Sequence, residues 1–261
     1  MNRTSKISLS VLAGALALAG GILVPSAMAG EAPPAAAPRA GTGTGTPIVL
    51  GHGLEIVESA TAAHWVSGAQ HVVVYTVSEE TERPPTQIEV ERQEGLTYRT
   101  VHARIDRVLW SKDGARTPPA GTWNFTTYGS AFNNNDGAGT AKFGLEGRPR
   151  VEAGHTYIAA IRWHDDPCSA DDGKGRWGSL GSGAILPFDA QVIGQGEYEG
   201  QVRTAEQNKA LMAEESADGA LAEKLAGQNI DALLNELRQA EPIQGSGPGV
   251  TETCDTEDNA H

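Results

Sequence analysis

The densest chemistry in this chain lies in "IRWHDDPCSADDGKGRW", Ile161 to Trp177, where His164, Asp165, Asp166, Cys168, Asp171 and Asp172 crowd into nine residues. One imidazole and four carboxylates could ligate calcium or zinc, or move protons as general acids and bases. A calcium hand loop, however, needs oxygen donors at alternate positions, a central Gly and a closing Glu. Counted from Asp165, the third position is Pro167 and the fifth Ser169; counted from Asp166, they are Cys168 and Ala170. Neither frame fits. The bland account is a solvated loop between two strands, rich in Asp and Gly because those residues suit tight turns. His164, Asp165, Asp166, Asp171 and Asp172 stand as the metal candidates that the sequence offers.

No other motif marks a reaction. A serine hydrolase needs Gly-x-Ser-x-Gly between a strand and a helix, and none of Ser130, Ser179 and Ser182 carries both glycines. A zinc protease needs His-Glu-x-x-His on one helix, and that string is absent. His52, His64, His71, His102 and His155 are dispersed, mostly near or inside strand-like segments. Paired carboxylates of the glycosidase kind are not singled out by any spacing. "GTGTG" at 41–45 has no preceding strand and no Lys placed for a phosphate, so no cofactor motif is read there. The sequence assigns no catalytic residue and no cofactor.

The N-terminus speaks to compartment. Arg3 and Lys6 precede an apolar run from Val11 to Val24, Pro25 breaks it, and Ala27-Met28-Ala29 offers small residues to a signal peptidase. This order predicts a secretory signal peptide over 1–29, cleaved after Ala29. The run is too short for a membrane span of roughly 20 residues, so no stable membrane anchor is expected after cleavage. Residues 30–47, "GEAPPAAAPRAGTGTGTP", lack bulky apolar side chains and read as a disordered linker.

Charge and cysteine content follow from export. The chain carries 20 basic and 33 acidic residues, net −13, and losing Arg3 and Lys6 with the leader takes it to −15. Such a surface repels nucleic acid and anionic lipid. Cys168 and Cys254 are the two cysteines. An even pair in an oxidising compartment predicts a disulfide, pinning the acidic tail over the loop that holds Cys168.

The elements that must position these residues are mainly strands. "HVVVYTVS" from His71 is β-branched and aromatic, and Ala63 to Gln70 reads as a short strand and turn. Thr86 and Glu89 make a capping box for a short helix ending near Gly95, although Ile88 and Val90 fit a strand equally well. From Thr97 to Ser111, Val101, Ala103 and Ile105 share one face until the alternation slips at Asp106-Arg107, which predicts a bulge. "TWNFTTYG" from Thr122 is the partner strand, and Ala153-Gly154 turns into an apolar strand ending at Trp163. Of the five tryptophans, Trp110 and Trp163 are expected in the core. Beyond about Val202 the period changes, and Leu221, Leu225, Ile230, Leu233, Leu234 and Leu237 form helical stripes that stop at Pro242. Such stripes are expected to pack on their own domain.

Within this layout, "VHARIDRVLWSKDGARTPPAGTWNFTTYG" followed by "RPRVEAGHTYIAAIRW" resembles exported bacterial β-barrel domains: Val108, Leu109 and Trp110 end a bent strand, and Val151, Gly154 and Tyr157 open the next. The arrangement is similar to the five-stranded barrel of the OB and netrin-like type. Trp177 to Gly200 resembles the closing segment of secreted actinobacterial proteins. The resemblance covers about half of the chain left after cleavage and implies no reaction. The expectation is an antiparallel OB-like barrel or small sandwich over 48–200, a short C-terminal helical region over 201–242 and an acidic tail over 243–261. The expected function is a non-enzymatic extracellular binding or interaction module for an unknown ligand or protein. The alternative is a secreted hydrolase or metal-dependent protein using the 164–172 loop.

Overall fold

The computed structural model describes residues 47–53, 55, 57–137, 140–165, 175–215 and 220–243. Signal cleavage after Ala29, the Cys168–Cys254 pair, the "GTGTG" segment and nearly all of the acidic tail lie outside these residues.

The fold is mainly β, and among the described residues all of the ladders but one are antiparallel. In chain order it runs β1 (Ile48–Gly51), α1 (Ala62–Gly68), β2 (His71–Glu82), α2 (Gln87–Glu91), β3 (Leu96–Ser111), β4 (Thr122–Ala131), β5 (Ala141–Leu145), β6 (Thr156–Asp165) and β7 (Gly175–Ser179). Then come β8 (Ile185–Pro187), β9 (Gly196–Tyr198), β10 (Gln201–Arg203), α3 (Ala205–Glu215), α4 (Leu221–Leu225) and α5 (Ile230–Gln239). The large sheet has the order β1-β5-β4-β3-β2-β6-β7, with β8 also on β6, while β9 and β10 pair separately.

The run of apolar residues in β2 has a simple consequence. Alternate side chains of a strand leave opposite faces, so a strand apolar at every position must be covered on both. Val72 and Val74 join Ile158 and Ala160 in one core with Trp65, Leu221, Leu225, Leu233 and Leu237. Val73, Tyr75 and Val77 join Tyr157, Ala159 and Ile161 in the other, with Val101, Ala103 and Trp123. Helices α4 and α5 therefore cover one face of the sheet, and the second core lies on the other.

The slip in β3 is a bulge. Val74 faces Arg107 while Tyr75 faces Ile105, so the ladder to β2 skips Asp106, and a second irregularity passes over Leu109. Extra residues on one strand bend it and increase the local twist. The bend brings β4 towards β7, where the Trp123 indole donates to the Trp177 carbonyl at 3.1 Å.

This sheet does not close as a barrel: among the described residues no ladder joins β7 to β4 or to β1. The Trp123 side chain spans the seam where a closing backbone ladder would have to run.

Other expectations need correction. Ala63 to Gln70 is helix α1, not a strand and turn. Thr61 caps it, accepting from the His64 N–H at 3.2 Å while His64 Nδ1 accepts from the Thr61 N–H at 3.4 Å. Trp65, fully buried, donates to the Ser59 carbonyl at 2.7 Å and anchors it. The most buried tryptophans are Trp65, Trp123 and Trp177, whereas Trp110 and Trp163 pack only at core margins. β5, which pairs in parallel with β1, was not read as a strand from the sequence; its five residues alternate too weakly to signal one.

Candidate functional site

The predicted loop is described only at its entry. His164 and Asp165 end β6, opposite Arg176 and Gly175 of β7. Consecutive strand residues point to opposite faces, so the imidazole and this carboxylate do not converge. His164 Nε2 lies 3.3 Å from the Ser179 carbonyl, and burial, aided by Arg162 and Arg176, holds its pKa below the usual histidine range. Asp165 accepts from the Trp163 indole at 3.0 Å. Asp166, Asp171 and Asp172 lie outside the described residues. Among the described residues, no three His, Cys, Asp or Glu side chains gather at metal-binding distance.

The feature that does gather chemistry lies elsewhere, where β4 and β5 part. Their ladder holds only Ser130 against Lys142 and Ala131 against Ala141. Beyond it Arg150 fills the wedge, its Nε donating to the Phe143 carbonyl and its Nη2 to the Gly129 carbonyl, each at 2.9 Å. One guanidinium thus replaces the missing rungs.

Arg150 belongs to a buried clamp around its own neighbour. Val151 has φ 67°, a left-handed conformation that a β-branched residue rarely adopts. Arg99, 1% exposed, donates to the Val151 carbonyl at 3.0 Å and also to the Arg150 carbonyl. From the other side Glu197, fully buried, accepts from the N–H groups of Arg150 at 3.0 Å and Val151 at 2.9 Å. Both polar groups of two consecutive residues are therefore held by side chains from distant strands, which is how strained backbone persists. Glu197 also accepts from Gly200 N–H at 2.6 Å and Tyr157 Oη at 2.8 Å, and Glu80 pairs with Arg99 at 2.7 Å. Burial pushes the Glu197 carboxyl above its ordinary range, and burial with neighbouring Arg150 pulls Arg99 down.

Val151 is held as part of the wall of a cleft of about 170 Å³. Phe125, Tyr128 and Phe143 line it with Ile185, and Arg148 and Ser182 bring the polar groups. Tyr128 and Phe143 meet edge to face, ring centres 5.4 Å apart. A cavity of roughly 150 Å³ holds one benzene-sized group, so the cleft suits a single aromatic or branched aliphatic moiety.

Its polar rim is a hydrogen-bonded chain running from Arg148 to Glu55. Arg148 Nε donates to Ser182 Oγ at 3.3 Å and Nη1 to the Gly147 carbonyl at 2.8 Å, leaving Nη2 without a partner among the described residues. Ser182 Oγ in turn donates to Glu55, which also accepts from Gly183 N–H at 2.6 Å and Ser59 Oγ at 2.8 Å. Burial alone would raise the Glu55 carboxyl, but the hydrogen bonds from Ser182, Gly183 and Ser59 outweigh it and hold the group below its usual range. A carboxylate so saturated is a poor base, and no histidine among the described residues lines the cleft.

Sequence reasoning did not single out Arg99, Arg148, Arg150 or Glu197. One signal was present: the alternation that turns Val101 and Ala103 inward also turns Arg99 inward, and an arginine at an inward position must find partners.

Comparison with protein families, characterised proteins and solved structures found no match to this chain.

Proposed function

We propose that the protein is a non-enzymatic extracellular binding module, exported by its first 29 residues, whose ligand site is the cleft beside Val151. In this reading β4-β3-β2-β6-β7 act as the five strands of an OB-like open barrel, and the seam between β4 and β7 is its mouth. Small-ligand sites are concave, mostly apolar and supplied with a few placed polar groups. The observation that carries the reading is the Arg99–Glu197 clamp, which commits a buried guanidinium and a buried carboxyl group to hold one strained residue in the wall of an apolar cleft. The Arg148 guanidinium favours an anionic group on the ligand, against a chain whose net charge is −13. Nucleic acid is not a partner in this reading, because the acidic surface repels it.

The test uses anilinonaphthalene sulfonate, an aromatic anion that fluoresces in apolar surroundings. The folded protein should bind it saturably at one site. Arg148→Ala should weaken binding about tenfold, the equivalent of one charge-assisted hydrogen bond. Absence of saturable binding, or binding indifferent to both Arg148→Ala and Phe143→Asp, would overturn the reading.

A further inference from the structure

We infer that the ligand of this cleft is an extended peptide bearing a C-terminal carboxylate, which adds to the free edge of β4 as a further strand. The inference rests on the binding reading above and names the class of partner.

The phase of the β3–β4 ladder decides which way the main chain points. Ile105 N–H donates to the Gly121 carbonyl at 3.0 Å. Pairs two residues apart repeat that pattern, so Ala103 with Trp123, Val101 with Phe125 and Arg99 with Thr127 exchange hydrogen bonds. The N–H and C=O groups of Asn124 and Thr126 consequently face the other edge. On that edge β5 pairs only with Ser130 and Ala131. Arg150 satisfies the Gly129 carbonyl and Arg99 the Tyr128 carbonyl at 2.9 Å. Nothing among the described residues takes the main-chain groups of Asn124 and Thr126, and both residues are exposed.

Free edges are normally blunted by charge, proline, a bulge or shortness. β4 has none of the first two: Thr122 to Ala131 contains no charged residue and no Pro. The sheet's end strands are short by comparison, four residues in β1 and five in β7.

The surroundings select a single strand over a second copy of the chain. Across the edge stand Ser179 and Ser182, and the Trp123–Trp177 bond draws β7 over one end of it. A second copy would bring its whole sheet behind its own β4, on the side that β7 already approaches. One peptide strand fits: its main chain meets Asn124 and Thr126, and one apolar side chain enters the cleft. Its carboxylate meets Arg148 Nη2. This is strand addition, in which main-chain bonds supply affinity and a pocket supplies selectivity.

The test titrates the full chain with acetyl-Thr-Val-Thr-Val-Thr-Val carrying a free C-terminus. Amide exchange at Asn124 and Thr126 should slow about tenfold or more on binding. The fully N-methylated peptide should not bind, and the C-terminally amidated one should bind more weakly. Thr126→Pro removes an outward N–H, costs no bond to β3, and should abolish peptide binding. Equal binding of the methylated peptide, or unchanged exchange at both amides, overturns the inference whether or not the Pro variant folds. So does self-association that protects those amides without peptide. If the sulfonate binds and the peptide does not, the cleft stands as a ligand site and only the peptide falls; if neither binds, both readings fall.

Discussion

Arg99 donates to the main-chain oxygen of Val151 at 3.0 Å, tying β3 to a residue 52 positions along the chain and holding it at φ 67°. The same guanidinium reaches Tyr128 of β4 and Glu80 of β2, so one buried side chain joins three strands to the cleft wall.

Removing it should be costly. Arg99→Met leaves the carbonyls of Tyr128, Arg150 and Val151 without their donor, and breaking a buried charged pair typically costs about 3–5 kcal/mol. Urea unfolding should show a loss of that size, with weakened sulfonate binding in the remaining folded protein. A loss below about 1 kcal/mol, the scale of an ordinary exposed pair, would mean the clamp is dispensable.

Glu197 and Glu55 should give opposite pH dependences. Glu197 has a raised carboxyl, so the native state holds its proton where the unfolded chain has lost it. Its contribution therefore falls as pH rises from the ordinary glutamate value of about 4.3 through its raised native one. Glu55 is lowered, so its contribution is present above about pH 4.3 and is lost as pH falls through its native value. Unfolding measured across acid and neutral pH should show Glu197→Gln losing the first slope and Glu55→Gln the second. Slopes unchanged in both variants would assign the pH dependence to other groups.

The C-terminal helices should be inseparable from the sheet. Leu233 is fully buried in the core shared by Trp65, Val72 and Ile158. Leu233→Ala should cost about 2–5 kcal/mol, as core truncations do, in one transition seen alike by tryptophan fluorescence and circular dichroism. Two separate transitions would show the helices folding apart from the sheet.

The cysteine pairing is a prediction from sequence alone. A non-reduced peptide map should recover Cys168 and Cys254 joined, and reduction should lower stability by about 4 kcal/mol in the chain-entropy account. Two free thiols would dismiss it.

What the sequence determined by itself was local. Strands β2, β3, β4 and β6 follow from alternation and β-branching and the bulge from the slip at Asp106, whereas around Ile88 the sequence left helix and strand open, and the folded chain takes the helix with the Thr86–Glu89 box closed by a 3.3 Å bond. α5 follows from its leucine stripe. Each of these signals is carried by residues within a few positions of one another, which is the range over which backbone geometry repeats. Helix α1 was missed because its cap uses His64 in the place where Glu or Gln is usual. The parallel pairing of β1 with β5, the open seam and the cleft were decided only by tertiary structure. Arg99, Val151 and Glu197 meet because three separated segments pack at one place, and no local pattern encodes a left-handed valine. Its conformation is affordable only where distant charges hold both of its peptide groups, so the wall of the site exists in the folded chain alone.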